Sequence, residues 1–234
     1  MCVNDHIAFR TWEIGMVAIS ALEPLLLHSG YLCTGRYEFP QKNLLARSYS
    51  HCGGSHPRVF LPEFSTAVLE EPSVDLTRRC VRDLDAAASP QDLLLGCATW
   101  RPIHYADNLA LKAHSEYAAW VSAFGIRANH FTVAAHSLNT CASLESLCDL
   151  LESHGLVMNA SGGRIKGCQQ QGSAQASTMA KEIAWPFAAN TAWPIPSWYV
   201  EFAYRWPDRK GNLFDGFIAG SATKIFESTH SLRG

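Results

Sequence analysis

The chain has 234 residues, of which 47% are hydrophobic and 17% are charged, and its formal net charge is −2. A chain of this length buries about 70% of the surface that it exposes when unfolded, so a packed core is expected. The small net charge and the absence of a basic stripe argue against a nucleic acid as the partner. A small anionic ligand is still compatible with this composition, because one buried arginine hardly changes the net charge.

The N-terminal region and the cysteines predict an intracellular protein. Charged residues lie within the first ten positions, and Glu23-Pro24 interrupts the apolar run from Ile14 to Leu27, which argues against a signal peptide and a membrane span. Eight cysteines without a C-x-x-C pair are typical of reduced, structural thiols. We therefore expect a cytoplasmic protein without a membrane partner, and the oligomeric state stays open.

The first part of the chain predicts a βαβββ unit. Residues 3–11 read as a strand, and residues 15–29 have the spacing of an amphipathic helix. Three further strands are predicted over 32–38, 44–51 and 57–64, with a turn at Gly53-Gly54. The order of these elements defines a first module over residues 1–64.

The middle of the chain changes character. Residues 75–88 and 107–124 have helical spacing, and the breaks at Ser89-Pro90 and at residues 100–102 separate them. We interpret residues 65–126 as a helical insert.

From residue 127 onward the first pattern returns with longer connections. A strand at the start of this region is followed by a helix over 143–154. Further strands are predicted near 163–168, 174–187, 197–206 and 214–221. We therefore predict an α+β fold in which residues 1–234 form a single domain, with a first module at 1–64, the insert at 65–126 and a second module at 127–234.

Two histidines occupy matching points of this repeat. His6 lies 24 residues before Gly30, and His130 lies 25 residues before Gly155. Side chains two or four positions apart on a strand share a face, so Arg10 is expected to line the same cavity as His6. A duplicated unit of this kind could bring both imidazoles to one metal ion.

Glu201 is the third candidate ligand, because it lies within the strongly apolar run Trp198–Tyr204. Burial of an ion costs several kcal/mol unless a cation pairs with it. Two histidines and one carboxylate are the ligand set of the facial triad of non-haem Fe(II) oxygenases. Taken singly, each residue also has a structural interpretation, in which Glu201 pairs with Arg205, and Arg10 pairs with Asp5 or another acid.

Six segments spread over nearly the whole chain carry a resemblance to one family: Asp5–Thr11, Glu116–Trp120, Ala128–Val133, Ser161–Gly167, Gln175–Thr178 and Ile225–Thr229. They resemble the 2-oxoadipate dioxygenase/decarboxylase family, a branch of the vicinal oxygen chelate fold. The resemblance implies paired βαβββ modules that form a half-open barrel, in agreement with the repeat.

The resemblance also implies roles for four residues. His6, in a His-x-x-x-Arg-Thr strand, and His130, in an Asn-His-Phe-Thr motif, match the two metal histidines. Glu201, in a Tyr-x-Glu-Phe strand, matches the glutamate ligand, and Arg10 matches the arginine that binds a substrate carboxylate. The implied metal is Fe(II), whose remaining coordination positions would take a 2-oxo dicarboxylic acid and O2.

The implied activity is the oxidative decarboxylation and hydroxylation of 2-oxoadipate to 2-hydroxyglutarate and CO2, without a separate 2-oxoglutarate cosubstrate. In the family this step belongs to lysine catabolism. Two alternatives from other classes stay open. One is a vicinal oxygen chelate lyase or isomerase that uses a divalent metal as a Lewis acid, and the other is a non-catalytic module that binds a small carboxylate.

Four further polar residues are weaker candidates. Glu63 is predicted to occupy the position in the first module that Glu201 holds in the second, so it could be a fourth or vestigial ligand. Gln175, Ser177 and Lys166 could bind substrate, but polar residues on antiparallel strands more often face solvent.

Overall fold

One mixed sheet of eight strands joins the two halves of the repeat. The computed structural model describes residues 2–54 and 56–230. The strands of this sheet and of a separate hairpin are β1 Asn4–Trp12, β2 Tyr31–Phe39, β3 Leu44–His51, β4 Arg58–Phe64, β5 Arg127–Ala134, β6 Lys166–Cys168, β7 Ser173–Ser177, β8 Glu182–Phe187, β9 Thr191–Pro196 and β10 Tyr199–Arg205. The helices are α1 Ile19–His28, α2 Ser73–Arg82, α3 Pro90–Leu94, α4 Tyr105–His114, α5 Glu116–Phe124, α6 Leu144–Ser153 and α7 Ala219–Ile225.

The strand order shows the duplication directly. It runs β2-β3-β4-β1-β5-β10-β7-β6, so the first half is repeated in reverse across the central pair. Strands β1 and β5 are antiparallel to each other, and each is parallel to the last strand of its own module. The two histidine strands are therefore neighbours at the centre of a curled half-barrel, and the predicted α+β fold with paired modules is confirmed.

The first module and the start of the second follow the sequence prediction closely. The first four strands and α6 lie within two residues of their predicted positions, whereas the first helix is shorter and follows a 3-10 turn at Gly15–Val17. The helical insert is also present, but its two long helices are four shorter ones. Ser89 begins α3 with a capping box, and the Ser115 hydroxyl accepts a hydrogen bond from the Ala118 backbone at the start of α5.

Two predictions in the second module are wrong. Residues 174–187 divide into β7 and β8, and β8 pairs with β9 in a two-stranded sheet of its own. Residues 214–221 form a loop that leads into α7, not a strand. The run from Ala219 to Ala222 consists of small residues and lacks the alternation of apolar and polar residues that is typical of a strand.

The insert covers the concave side of the sheet near its centre. Tyr117, Trp120 and Phe124 of α5 are buried in the same core cluster as Ala8 and Trp12 of β1. The far end of the second module has its own small core under α6. No helix in the described part of the chain is long and apolar enough to cross a membrane.

Candidate metal and substrate site

His6, His130 and Glu201 meet at the centre of the sheet. One potential ligand atom from each lies within 4.8 Å of those of the other two. Glu201 Oε2 lies 3.0 Å from His130 Nε2, and Glu201 Oε1 lies 3.6 Å from His6 Nε2. The three residues are 1 to 5% exposed. Within residues 2–54 and 56–230, this is the one cluster of three His, Cys, Asp or Glu side chains that could hold a metal ion.

Strand register explains why the three side chains meet. Thr132 of β5 is opposite His6 on one side and opposite Glu201 on the other. His130 lies two positions away from Thr132, on the same face of β5. The Thr132 hydroxyl lies 2.9 Å from His6 Nε2, so the strand between the two outer ligands also contributes a polar contact to His6.

Hydrogen bonds behind the cluster orient its side chains. Asp5 Oδ2 lies 2.8 Å from His6 Nδ1, an arrangement that favours a proton on Nδ1 and leaves Nε2 free to bind a metal. Gln175 Nε2 donates a 2.6 Å hydrogen bond to Glu201 Oε1. Both supporting groups are buried, at 4 to 5% exposure, so solvent does not compete for these hydrogen bonds.

The site favours the protonation states that bind a cation. Burial lowers the pKa of His130, although Glu201 opposes this shift. Burial alone would raise the pKa of Glu201, but the two neighbouring imidazoles, His6 and His130, outweigh it, and the net shift is downward. A neutral imidazole beside an ionised carboxylate is the state that a divalent metal requires.

His130 Nε2 is a buried nitrogen atom without a bonding partner. It is buried and has no hydrogen bond, since its approach to Glu201 lacks hydrogen-bond geometry. A buried polar atom left in this way costs about 1 to 3 kcal/mol. The two imidazoles and the carboxylate are donors that suit iron and other first-row divalent metals. The residues present therefore fit a metal ion.

Arg10 provides a cationic subsite beside the cluster. Its side chain is 1% exposed and makes one hydrogen bond, from Nη2 to the Thr229 hydroxyl at 2.9 Å. Its Nε and Nη1 have no hydrogen-bond partner, and the same is true of the buried Tyr199 hydroxyl. The guanidinium lies over the rings of Tyr117 and Trp120, at 4.9 and 5.2 Å from their centroids. Unpaired buried donors around a cation are suited to an anionic ligand such as a carboxylate.

A small cavity of about 20 Å³ lies at the cluster. This volume holds one water molecule and is too small for a six-carbon acid. Besides the three potential ligands, its lining consists of Phe60, Gln175, Phe217, Ala222, Ile225 and Phe226. Four of these six residues come from the segment 217–226, so that segment forms much of the wall of the cavity.

Both structural interpretations of single residues are wrong. Arg205 pairs with Asp5 at 2.7 Å, not with Glu201, and Arg10 hydrogen-bonds Thr229, not Asp5. The reason is the register of the sheet, which places Asp5 on the central strand within reach of Arg205.

The predicted equivalence of Glu63 and Glu201 is also wrong. In the parallel strand pairs, Arg58 lies opposite His6, and Tyr199 lies opposite His130. Arg58 and Tyr199 are therefore equivalent, and two positions further along their strands Phe60 is the counterpart of Glu201. Glu63 accepts a 2.8 Å hydrogen bond from the Ile19 backbone at the start of α1 and does not belong to the cluster. The first module therefore places an aromatic ring where the second places a carboxylate.

Sequence reasoning also underrated the polar residues of the second module. Gln175, Ser177 and Lys166 are at most 5% exposed, although solvent exposure was expected. Every residue of β7 is buried, because its outer face is covered by α6 and its inner face lines the barrel. The clue in the sequence was the run of small residues around Gln175, which is typical of a strand packed on both faces.

The architecture belongs to the vicinal oxygen chelate fold, which is built from paired βαβββ modules. A solved structure from Ralstonia eutropha JMP134, described provisionally as a glyoxalase superfamily protein, shares this fold. It matches with a TM-score of 0.72 at 19% identity over 94% of this chain and 76% of its own length.

Within that fold, the chain belongs to the 2-oxoadipate dioxygenase/decarboxylase family, whose model matches residues 84–212. A curated relative from Arabidopsis thaliana, the chloroplastic 2-oxoadipate dioxygenase/decarboxylase, is 32% identical over 96% of this chain and 67% of its own length. The family-model segment contains His130 and Glu201, and the longer alignment to the relative takes in nearly the whole chain.

Two solved structures are more similar still in shape. The hydroxyglutarate synthase of Oryza sativa, solved in complex with 2-oxoadipate, has a TM-score of 0.86 and 29% identity over 97% of this chain and 81% of its own length. A Shewanella frigidimarina protein described provisionally as a hydrolase has a TM-score of 0.83 and 35% identity, over 93% of this chain and 85% of its own.

Proposed function

We propose that the protein is an Fe(II)-dependent dioxygenase that converts 2-oxoadipate and O2 to 2-hydroxyglutarate and CO2. The reaction balances without another cosubstrate, because the oxidation of the 2-oxo acid supplies the electrons that reduce dioxygen. The observation that carries the proposal is the buried cluster of His6, His130 and Glu201 beside Arg10, whose Nε and Nη1 have no hydrogen-bond partner. Membership of the family supplies the substrate class.

Separate side chains would bind the metal and the substrate. His6, His130 and Glu201 would hold the ion, and Gln175 keeps the carboxylate oriented through its hydrogen bond. Iron at this site would bind the 2-oxo acid and activate dioxygen. Arg10 would bind the distal carboxylate, which distinguishes a dicarboxylic 2-oxo acid from one with a single acid group.

The surroundings of the cluster keep water away from the reacting groups. Aromatic rings of Phe60, Phe217 and Phe226 line the cavity and pack against one another. A dry pocket strengthens the attraction between Arg10 and a carboxylate, since fewer water molecules screen the charges. It also limits the escape of a reactive intermediate before hydroxylation.

An experiment under nitrogen separates this proposal from its alternatives. The Fe(II)-loaded protein is mixed with 2-oxoadipate without oxygen, and binding is followed before air is admitted. We expect binding under nitrogen, and then oxygen consumption with release of CO2. Turnover under nitrogen would indicate a Lewis-acid lyase or isomerase, and binding without turnover in air would indicate a carboxylate-binding module.

The remaining parts of the proposal concern the setting of the enzyme. We propose that residues 1–234 act as one domain, because strands from both modules share one sheet. A cytoplasmic location, a role in lysine catabolism, and the absence of nucleic-acid and membrane partners stay predictions from the sequence. Limited proteolysis tests the single domain, since cleavage in the insert should not release a stable module.

A further inference from the structure

Arg205, the last residue of β10, is a buried cation. Its side chain is 1% exposed. Its Nε and Nη2 donate hydrogen bonds of 2.7 and 2.9 Å to the two carboxylate oxygens of Asp5. This two-point pairing fixes the plane of the carboxylate, because the guanidinium offers its donors in a rigid fork.

The same guanidinium also holds the loop that precedes α7. Arg205 Nη1 donates to the backbone carbonyls of Phe214 and Gly216, both at 2.8 Å. The next residue, Phe217, packs edge-on against the His6 ring with a centroid distance of 4.8 Å. Phe217 lines the cavity at the cluster. One side chain therefore connects a support of the His6 imidazole to the segment that covers it.

Asp5 completes the connection to the ligand. Its carboxylate lies 2.8 Å from His6 Nδ1 and accepts both hydrogen bonds of the Arg205 fork. An ionised carboxylate at Nδ1 holds the imidazole in one tautomer and one ring orientation.

The second module has no corresponding Asp–Arg pair behind its histidine. The counterpart of Asp5 beside His130 is Asn129, whose amide oxygen lies 3.3 Å from His130 Nδ1. By the same register, the counterpart of Arg205 in the first module is Phe64. The second histidine strand thus keeps its place in the sheet without an Asp–Arg pair. The pair of Asp5 and Arg205 supports His6 alone, which indicates a role specific to that residue.

We propose that Arg205 is a positioning residue that acts through Asp5 on the His6 imidazole and couples this ligand to the loop 214–217. The inference rests on the proposed metal site. Loss of the fork should weaken metal binding strongly, because it removes the support of His6. Loosening the loop from its outer side leaves the fork in place, so it should weaken metal binding much less.

The test compares Arg205→Lys with Asp215→Asn. The lysine keeps the buried charge but cannot pair with both Asp5 oxygens and two carbonyls at once. Asp215 belongs to the same loop, but its partner is Arg58, whose Nε lies 2.6 Å away, and its side chain is 53% exposed. Arg58 Nη1 also lies 3.7 Å from Asp5 Oδ1, and Asp215→Asn removes neither this contact nor the Arg205 fork from Asp5. The second variant thus perturbs the loop without removing the support of His6.

Metal binding is measured under nitrogen by titration of the purified proteins with Co(II), through calorimetry and the absorption spectrum of the bound ion. We expect Arg205→Lys to bind about 10- to 100-fold more weakly than the parent, with an altered spectrum. Asp215→Asn should stay within about twofold of the parent. Equal affinity of Arg205→Lys and the parent, or an equal loss in both variants, would overturn the proposal.

Two further measurements cover a failure of Arg205→Lys to fold. The neutral pair Asp5→Asn with Arg205→Gln leaves no unpaired buried charge, and it should show the same loss of Co(II) affinity. In the parent, Co(II) should slow amide exchange in the loop 214–217, and no change there would overturn the coupling. If the parent itself binds no Co(II), the proposed metal site fails rather than this inference.

Discussion

At the scale of single residues, the site is built from deviations from the repeat. His6 and His130 are equivalent, but Arg10 corresponds to Ala134, and Glu201 corresponds to Phe60. The symmetric pair could be predicted from the sequence because a repeat places like residues at like points. The carboxylate and the arginine could be assigned only by their chemistry and by the family resemblance.

Arg10→Lys should raise the KM for 2-oxoadipate by about 10- to 100-fold, because hydrogen bonds to a charged group contribute about 1.5 to 3 kcal/mol. The KM for 2-oxohexanoate, which lacks the distal carboxylate, should change much less. Steady-state kinetics with both acids check this prediction. Arg164→Lys, in an exposed ion pair with Asp149 and Glu152, is the matched control. An unchanged KM for 2-oxoadipate would remove Arg10 from the substrate subsite.

His130→Ala should abolish stoichiometric metal binding, because two remaining ligands rarely hold iron in a protein. Elemental analysis of protein loaded with Fe(II) under nitrogen measures the effect. His28→Ala is the control, because His28 lies exposed at the end of α1. A full metal content in His130→Ala would exclude this residue from the ligand set.

At the scale of elements, the pairing register between strands decides which side chains meet, and this register could not be predicted from the sequence. The first-module strands could be located from alternation and turns, but a shift of three positions separated the predicted counterpart Glu63 from the true one, Phe60. The segment 214–221 could not be predicted correctly either. Its conformation depends on Arg205, which binds the carbonyls of Phe214 and Gly216 from a distant strand.

Glu63→Gln should leave the metal content unchanged and change stability by less than about 1 kcal/mol. Burial raises the pKa of Glu63, so the folded state disfavours the charge that is removed, and the amide oxygen can still accept the hydrogen bond from Ile19. The expected change in Tm is below about 4 °C for a chain of this size. Metal analysis and thermal unfolding of the same samples check both parts. A large loss of metal would restore Glu63 as a ligand.

At the scale of the whole molecule, folding buries the titratable groups of the site, so the free energy of unfolding depends on pH. The pKa of His130 is lowered by burial, so between the unfolded value near 6.5 and its folded value the unfolded chain binds more protons. Stability from this group is therefore complete above pH 6.5 and is lost as the pH falls through the folded pKa.

The metal-free protein should thus lose unfolding free energy as the pH is lowered from about 6.5 to 5. Urea unfolding at several pH values measures this slope. His130→Phe should show a shallower slope in this range, and His28→Ala should follow the parent. Equal slopes in all three proteins would show that the titration of His130 does not control acid stability.

Metal should stabilise the entire fold, since its ligands come from both modules. At a free metal concentration about 100 times the Kd, the gain is about 2.7 kcal/mol. Thermal unfolding with Fe(II) and after chelation measures the difference, which should be several degrees in Tm. A variant without a ligand, Glu201→Gln, should show little gain. The same Tm for the parent with and without metal would contradict binding at this cluster.

The fate of the two atoms of dioxygen tests the central claim most directly. The Fe(II) protein is supplied with 2-oxoadipate and 18O-labelled O2, and the product acid is analysed by mass spectrometry. We predict 2-hydroxyglutarate that carries both labelled oxygen atoms, with one CO2 released for each O2 consumed. Product formed under nitrogen, or a product without label, would contradict a dioxygenase.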